Sequence, residues 1–158
     1  MKANQLRSFI QDVLRYYFFT DGAKNRLAAT ELLMLTAAQE THLGEYLFQL
    51  GDGPAMGIFQ IEPATYEDLF ENYLTYREDL LGKLTDFNIH EGNWKLNMKG
   101  NLVYQVVIAR LIYKRVKEAL PDMNSPASMG TYWKNYWNTH LGKGTVQDAV
   151  ANYLTYCK

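Results

Sequence analysis

The chain has 158 residues, of which 47% are hydrophobic and 21% are charged, and its formal net charge at pH 7 is −1. This length predicts a single domain over residues 1–158, with enough apolar content for a real core. The near-zero charge excludes a global basic field that would draw the protein onto nucleic acid, so binding must come from a local groove. The single cysteine, Cys157, excludes an intramolecular disulfide framework.

Apolar side chains at helical spacing predict two helices in the first third of the chain. The first covers residues 6–17 and is closed by a turn at Asp21-Gly22, and the second covers about residues 25–40. Between residues 45 and 63 the chain is punctuated by Gly51-Asp52-Gly53-Pro54, which is typical of a loop leading into a short strand or hairpin. Two helices followed by an irregular segment are therefore predicted.

The rest of the chain predicts further helices separated by glycine and proline. Pro63 suits the first turn of a helix, whereas Pro121 ends one. The predicted elements are a helix over residues 63–81, a connection over 82–100 with a short helix near 85–90, a central buried helix over 102–120, a loop over 121–128, a helix carrying the aromatic residues of 132–137, and a last helix over 146–156. The predicted fold class is mainly α.

Glu40 stands out because it ends the second predicted helix on that helix's apolar face. At 100° per residue it shares this face with Leu33 and Ala37. A carboxyl buried there resists ionisation, which raises its pKa toward the range that a general acid needs near neutral pH. The alternative is a helix-end glutamate that simply reaches water. Glu40 is therefore the candidate catalytic residue.

Two motifs lie around this glutamate: Glu40-Thr41 at the helix end, and Gly57-Ile58-Phe59-Gln60 downstream with Pro63 close behind. They resemble the lysozyme-like superfamily, and within it the lytic transglycosylases and goose-type lysozymes. Those families place a catalytic Glu, usually followed by Ser, at a helix end and then a Gly-Leu-Met-Gln-like segment. The resemblance implies a lysozyme-like helical domain with a small β-like lip. It also implies that Thr41 supplies the hydroxyl that helps to orient the Glu.

A third motif of these families, an Ala-Tyr-Asn-like segment, matches best at Tyr136-Trp137-Asn138. Trp137 stands where the families have Tyr, so the Tyr role is unassigned, and Tyr136 or Tyr132 could supply the phenol. Aromatic rings one helical turn apart can stack on sugars, although core packing is their default role. The substrate-binding residues implied by the resemblance are Thr41, Gly57, Gln60, Tyr136, Trp137 and Asn138.

The residue types near the second motif suit carbohydrate chemistry. Gly57 lets the backbone approach a sugar closely, and the Gln60 amide can both donate to and accept from an N-acetyl group. A hydrolase would also need a second carboxylate, for which Glu45, Asp52 and Glu62 are the nearby candidates. The default for each of these three acids is a solvated loop position.

The activity implied by the resemblance is cleavage of peptidoglycan between N-acetylmuramic acid and N-acetylglucosamine. A lytic transglycosylase, which is a lyase, would use Glu40 first as acid and then as base, giving 1,6-anhydromuramyl products. One alternative is a muramidase, a glycosidase that hydrolyses the same bond with water. Another is a non-catalytic virion component that only binds glycan. No cofactor or metal is predicted, because His42, His90 and His140 lack metal-ligand spacing.

The predicted partners are peptidoglycan glycan strands, with no nucleic acid and no stable membrane insertion, and the protein is predicted to be a monomer. Polar residues interrupt the first twelve positions, which therefore lack the apolar core of a secretory signal. No apolar run approaches transmembrane length. These features suggest synthesis in the cytoplasm of the host cell and delivery to the cell wall by lysis machinery or a virus particle, as for a bacteriophage endolysin.

Overall fold

The structure is a computed structural model that describes residues 1–86 and 92–158. The described residues are mainly helical, which confirms the predicted fold class. The helices are α1 (Ala3–Tyr17), α2 (Ala23–Thr41), α3 (Pro63–Asn72), α4 (Glu78–Thr85), α5 (Trp94–Gly100), α6 (Leu102–Lys114), α7 (Pro126–Trp133) and α8 (Val146–Cys157). In the same part of the chain, the β structure takes the form of isolated antiparallel bridges from Met56 to Phe48 and to Ile61.

The hydrophobic core is built around α2 and α6. Residues 32–35 of α2 are each 0% exposed, and residues 104–113 of α6 are all buried. A helix that is apolar on every side must be surrounded by other elements, and α2 contacts α1, α6, α7 and α8. The carboxyl end of α2 leaves this core, and Glu40 lies there.

Helices α1, α2 and α8 lie where the apolar spacing of the sequence predicts helices, and α8 also has a local cap. At the start of α8, the Thr145 hydroxyl accepts a hydrogen bond from the Asp148 amide at 3.1 Å. The Asp148 carboxylate accepts one in return from the Thr145 amide at 3.3 Å, which completes a capping box. Such local signals are fully present in the sequence.

The single helix predicted over residues 63–81 was wrong. The chain forms α3, then a 3₁₀ turn at Leu74–Tyr76, and then α4. The Thr75 hydroxyl donates to the Phe70 carbonyl at 2.8 Å, so a side chain occupies an acceptor at the end of α3. The break also buries Leu74 completely. A long-range packing demand therefore overrides the local helical pattern.

The predicted bounds of the helix over residues 102–120 were also wrong, since α6 ends at Lys114. The Val116 amide donates to the Tyr113 carbonyl in a tighter turn, and the Glu118 carbonyl accepts from the Tyr132 hydroxyl of α7 at 3.1 Å. Helix α7 begins inside the predicted loop, where the Ser125 hydroxyl caps its first turn.

Two further differences concern the connection over residues 82–100. Helix α5 was not predicted, and its first turn is capped by the Asn93 side chain, which accepts from the Leu96 amide at 3.0 Å. The short helix predicted near residues 85–90 lies outside the described residues beyond position 86. Within the described residues, no helix is both long enough and apolar enough to span a bilayer.

Candidate active site

Glu40 lies in the last turn of α2, in the wall of a cleft of about 410 Å³. The cleft is bounded by the end of α2, by residues 60–65, by the end of α6, and by residues 136–142. Of the residues that the sequence singled out, Glu40, Gln60, Tyr136, Trp137 and Asn138 all line this cleft. The three motifs, which are far apart in sequence, therefore meet around one cavity.

The Glu40 carboxyl is partly buried, and one of its oxygens accepts a hydrogen bond from the Trp133 indole Nε1 at 3.1 Å. Burial disfavours the charged carboxylate and raises the pKa of Glu40 to about 7, against the smaller opposing effect of the Trp133 hydrogen bond. Burial also raises the pKa of Tyr113 well above its ordinary value, and the charge of Glu40 adds to this effect. Glu40 thus occupies a poorly hydrated position that faces a cavity.

Trp133 is the residue at this site that the sequence prediction missed as a partner of Glu40. The spacing of Trp133 and Trp137 was visible, but spacing alone could not show which indole reaches α2. In the structure Trp133 is 0% exposed, and it packs in the core. Only the packing of α7 against α2 directs its N–H to the carboxyl.

We predict that Trp133→Phe raises the pKa of Glu40 above its present value of about 7. The substitution removes a donor that stabilises the carboxylate, and a hydrogen bond to a charged group corresponds to about one pH unit in pKa. Titration of the Glu40 carboxyl carbon by NMR measures the change. A Tyr132→Phe control keeps the Trp133 donor and should leave the titration unchanged. An unchanged pKa in Trp133→Phe would contradict the assigned hydrogen bond.

Residues 57–60 form a tight loop that is closed by a reciprocal pair of backbone hydrogen bonds. The Met56 amide donates to the Ile61 carbonyl at 3.1 Å, and the Ile61 amide donates to the Met56 carbonyl at 3.0 Å. The Ile58 amide donates to the side-chain oxygen of Gln105 in α6 at 2.8 Å. The loop is therefore fixed to the central helix, and it holds Gln60 at the cleft.

Gly57 is required at the start of this loop for two reasons. Its φ of +74° lies in the left-handed region, which L side chains rarely adopt. A Cβ there would lie 2.5 Å from Gln105 Oε1 and 2.6 Å from the Met98 carbonyl oxygen. The close backbone approach at Gly57 is thus an approach to α5 and α6, and Gly57 itself does not line the cleft.

Thr41 links helix α2 to this loop. Its buried hydroxyl donates to the Ile58 carbonyl at 2.7 Å and accepts from the Gly44 amide at 2.9 Å. These bonds hold the residue after Glu40 against the loop that carries Gln60. Thr41 lies behind the cleft wall, where it supports Glu40 through the backbone.

Gln60 has a strained backbone at the cleft surface. Its φ of +47° is unusual for a residue other than glycine, and its side-chain amide donates to the Gly57 carbonyl at 2.9 Å. Such a conformation costs on the order of 1 kcal/mol, and it persists only where the surroundings impose it. The loop imposes it here, so the position of the Gln60 side chain is set by the backbone.

The aromatic wall of the cleft comes from a π-helical turn, Lys134–Asn138, that follows α7. π-turns are rare and frequently occur at functional sites. The Trp137 ring lies 5.1 Å from the Tyr113 ring and 6.4 Å from the Phe59 ring, measured between centroids. Trp137 therefore both packs on the core and borders the cavity.

Asn138 organises the end of this wall. Its side-chain oxygen accepts from the Lys134 ammonium at 2.6 Å, and the same ammonium donates to the Gly142 carbonyl at 2.9 Å. A Cβ at Gly142 would lie 2.4 Å from the Asn138 carbonyl oxygen, so the chain turns back closely on itself. Asn138 lines the cleft and at the same time shapes its rim.

The three acids considered for a second carboxylate have different positions. Glu62 lines the cleft, whereas Glu45 and Asp52 are exposed and do not line it. Glu45 instead lies 3.3 Å from the His42 ring nitrogen. Glu62 is thus the one of the three that could face a bound substrate.

Comparisons of the chain with protein-family models, with curated proteins and with solved structures each give no match. Residues 1–86 and 92–158 contain no group of three or more His, Cys, Asp or Glu side chains that could hold a metal ion. Function must therefore be inferred from the residues and the geometry of the cleft.

Proposed function

We propose that this protein is a lysozyme-like lytic transglycosylase that cleaves the N-acetylmuramic acid β-1,4-N-acetylglucosamine bond of peptidoglycan. The observation that carries the proposal is Glu40, a carboxyl with a pKa raised to about 7 that faces a cleft of about 410 Å³. A pKa near the working pH keeps both the acid and its conjugate base populated. One carboxyl can then donate a proton in one step and accept a proton in the next.

In the proposed reaction, protonated Glu40 gives its proton to the glycosidic oxygen, and the bond from C1 to that oxygen breaks. The N-acetyl oxygen of the substrate stabilises the positive charge that develops at C1. The Glu40 carboxylate then takes the proton from the C6 hydroxyl, whose oxygen attacks C1 and closes the 1,6-anhydro ring. Glu40 ends protonated, no water is consumed, and the intramolecular attack makes a second protein carboxylate dispensable.

The remaining cleft residues would bind the glycan strand. Gln60 and Asn138 carry amides that can pair with N-acetyl groups, and Tyr136 and Trp137 offer rings to the sugar faces. The loop over residues 57–60 would act as the small β-like lip over the strand. Thr41 and Gly57 would contribute by fixing that loop.

Mass spectrometry of the soluble products tests the proposal. Purified peptidoglycan is treated with the wild type and, in parallel, with Glu40→Gln. We expect anhydromuramyl products from the wild type and none from the variant. Folded wild type that releases nothing but sediments with the cell wall would contradict the enzyme assignment and favour a glycan-binding virion component.

Muramidase activity is the second candidate, because Glu62 lines the same cleft as Glu40. If the protein is a transglycosylase, Glu62→Gln should retain anhydromuramyl release within about threefold of the wild type, since no water has to be activated. Product release by Glu62→Gln is measured beside that by Glu45→Gln, the control for an acid outside the cleft. Reducing muramyl ends that disappear in Glu62→Gln alone would make the protein a hydrolase.

A further inference from the structure

Arg115 follows the last residue of α6 and lines the cleft, as does Ile112 one turn earlier. Among the described residues that line the cleft, the charged ones are Glu40, Glu62 and Arg115, so Arg115 carries the only positive charge. The whole chain has a net charge of −1, so there is no general positive field, and attraction of an anion to the cleft has to come from a local cation such as Arg115. It is placed where an anionic group of a ligand could reach it.

The Arg115 side chain is held in place at the cleft edge. Its Nη1 donates to Oδ2 of Asp68 in α3, and the side chain is 29% exposed. Hydrogen bonds from Asn72 and Arg115 lower the pKa of Asp68, so this anchor stays ionised near neutral pH. A guanidinium has five N–H donors in a planar fork, and the Asp68 contact through one nitrogen leaves donors for a ligand.

A purely structural role explains only part of this arrangement. A cation at the end of α6 interacts favourably with the helix dipole, and the Asp68 pair joins α3 to α6. A partly exposed ion pair contributes little to stability, however, and neither effect requires the guanidinium to border the cavity. Glu62 lines the same cleft, so an anionic substrate would meet repulsion there unless a cation offset it.

We propose that Arg115 binds a carboxylate on the muramyl part of the substrate, so that the cleft selects anionic peptidoglycan strands over uncharged N-acetylglucosamine polymers. This inference rests on the proposed function and names the group that the cleft recognises. The carboxylate belongs either to the lactyl substituent of a peptide-free muramyl residue or to an attached stem peptide. Guanidinium and carboxylate match in geometry, which favours a two-point contact.

Calorimetric binding to Glu40→Gln, with and without Arg115→Gln, provides the test. The ligands are peptide-free glycan fragments, the same fragments after methyl esterification of the lactyl carboxylates, and peptide-bearing fragments. We expect Arg115→Gln to weaken binding of carboxylate-bearing fragments by roughly 5–50-fold and of the esterified fragments by less than about twofold. Weakening on peptide-free fragments identifies the lactyl carboxylate, and weakening on peptide-bearing fragments alone identifies the stem peptide.

Two controls separate recognition from folding. Arg115→Lys keeps the charge and should restore part of the affinity for the unesterified fragments. Arg77→Gln removes an arginine that is ion-paired with Asp79 and does not line the cleft, so it should change no affinity. When Glu40 is retained, so that turnover can be measured, the single substitution Arg115→Gln should raise KM with kcat nearly unchanged.

The outcomes also separate this inference from the proposed function. Equal loss of affinity for esterified and unesterified fragments would indicate a structural role and overturn the carboxylate contact. Unchanged affinity in Arg115→Gln, with wild type still releasing anhydromuramyl products, would overturn the contact and leave the enzyme assignment intact. Wild type that neither binds nor cleaves any of these glycans would overturn both.

Discussion

Glu40→Gln is expected to lower kcat on peptidoglycan by about 10³-fold, because the amide can neither donate a proton to the glycosidic oxygen nor accept one from the C6 hydroxyl. General acid–base catalysis by one positioned group contributes roughly 10²–10⁴-fold, and in the proposed reaction one group serves both steps. The amide oxygen can still accept from Trp133, so the cleft should keep its shape. Initial rates of turbidity loss in cell-wall suspensions measure the effect.

The control for this prediction is Glu45→Gln, because Glu45 is an exposed acid near the end of α2 that does not line the cleft. It should retain wild-type activity within about twofold if only the cleft carboxyl takes part in the chemistry. Comparable loss in both variants would point to general charge effects on wall binding. Full activity in Glu40→Gln would contradict the assignment of Glu40 as the catalytic residue.

The same substitution should stabilise the fold at alkaline pH. The folded-state pKa of Glu40 is about 7, above its ordinary value of 4.5, so the folded state binds more protons than the unfolded state between those values. The contribution of Glu40 protonation to the free energy of unfolding is therefore fully present below about pH 4.5, and it is lost as the pH rises toward 7. Glu40→Gln removes this loss, which corresponds to about 3 kcal/mol at pH 8. Urea unfolding of both proteins at pH 4.5 and pH 8 measures the difference, and the same gap between them at both pH values would contradict the raised pKa.

Gly57→Ala is expected to reduce the free energy of unfolding by about 3 kcal/mol. The left-handed φ of +74° costs alanine about 1 kcal/mol, and the new Cβ would overlap the Met98 carbonyl oxygen and the Gln105 side chain. Displacing Gln105 would also remove the acceptor for the Ile58 amide, which would then be buried without its partner. Urea unfolding monitored by circular dichroism measures the loss.

Gly51 is the matched control for this prediction. It has a similar φ of +83°, but a Cβ built there meets nothing within 4 Å. Gly51→Ala should therefore lose only the conformational contribution of about 1 kcal/mol. Equal losses in the two variants would show that steric overlap at Gly57 is unimportant. A fall in catalytic rate in Gly57→Ala alone would link the loop to the position of Gln60.

Much of the fold follows from short-range sequence patterns. The apolar period predicts α1, α2 and α8 to within a few residues, because packing only reinforces what the spacing already favours. The breaks after Asn72 and Lys114 could not be predicted in this way. They depend on where Leu74 is buried and on the Tyr132 hydroxyl reaching the Glu118 carbonyl, and neither contact leaves a local signal.

By itself, the sequence determined the mainly α composition and gave Glu40 as the candidate catalytic carboxyl, because helix periodicity and an acid on an apolar face can be read from adjacent residues. Tertiary structure alone decided which side chains surround that carboxyl. Trp133 rather than Trp137 donates to it, Thr41 and Gly57 hold the loop from behind, and Arg115 enters the cleft from the end of α6. These contacts join distant segments, so they are set by how the helices pack together, which no local spacing specifies.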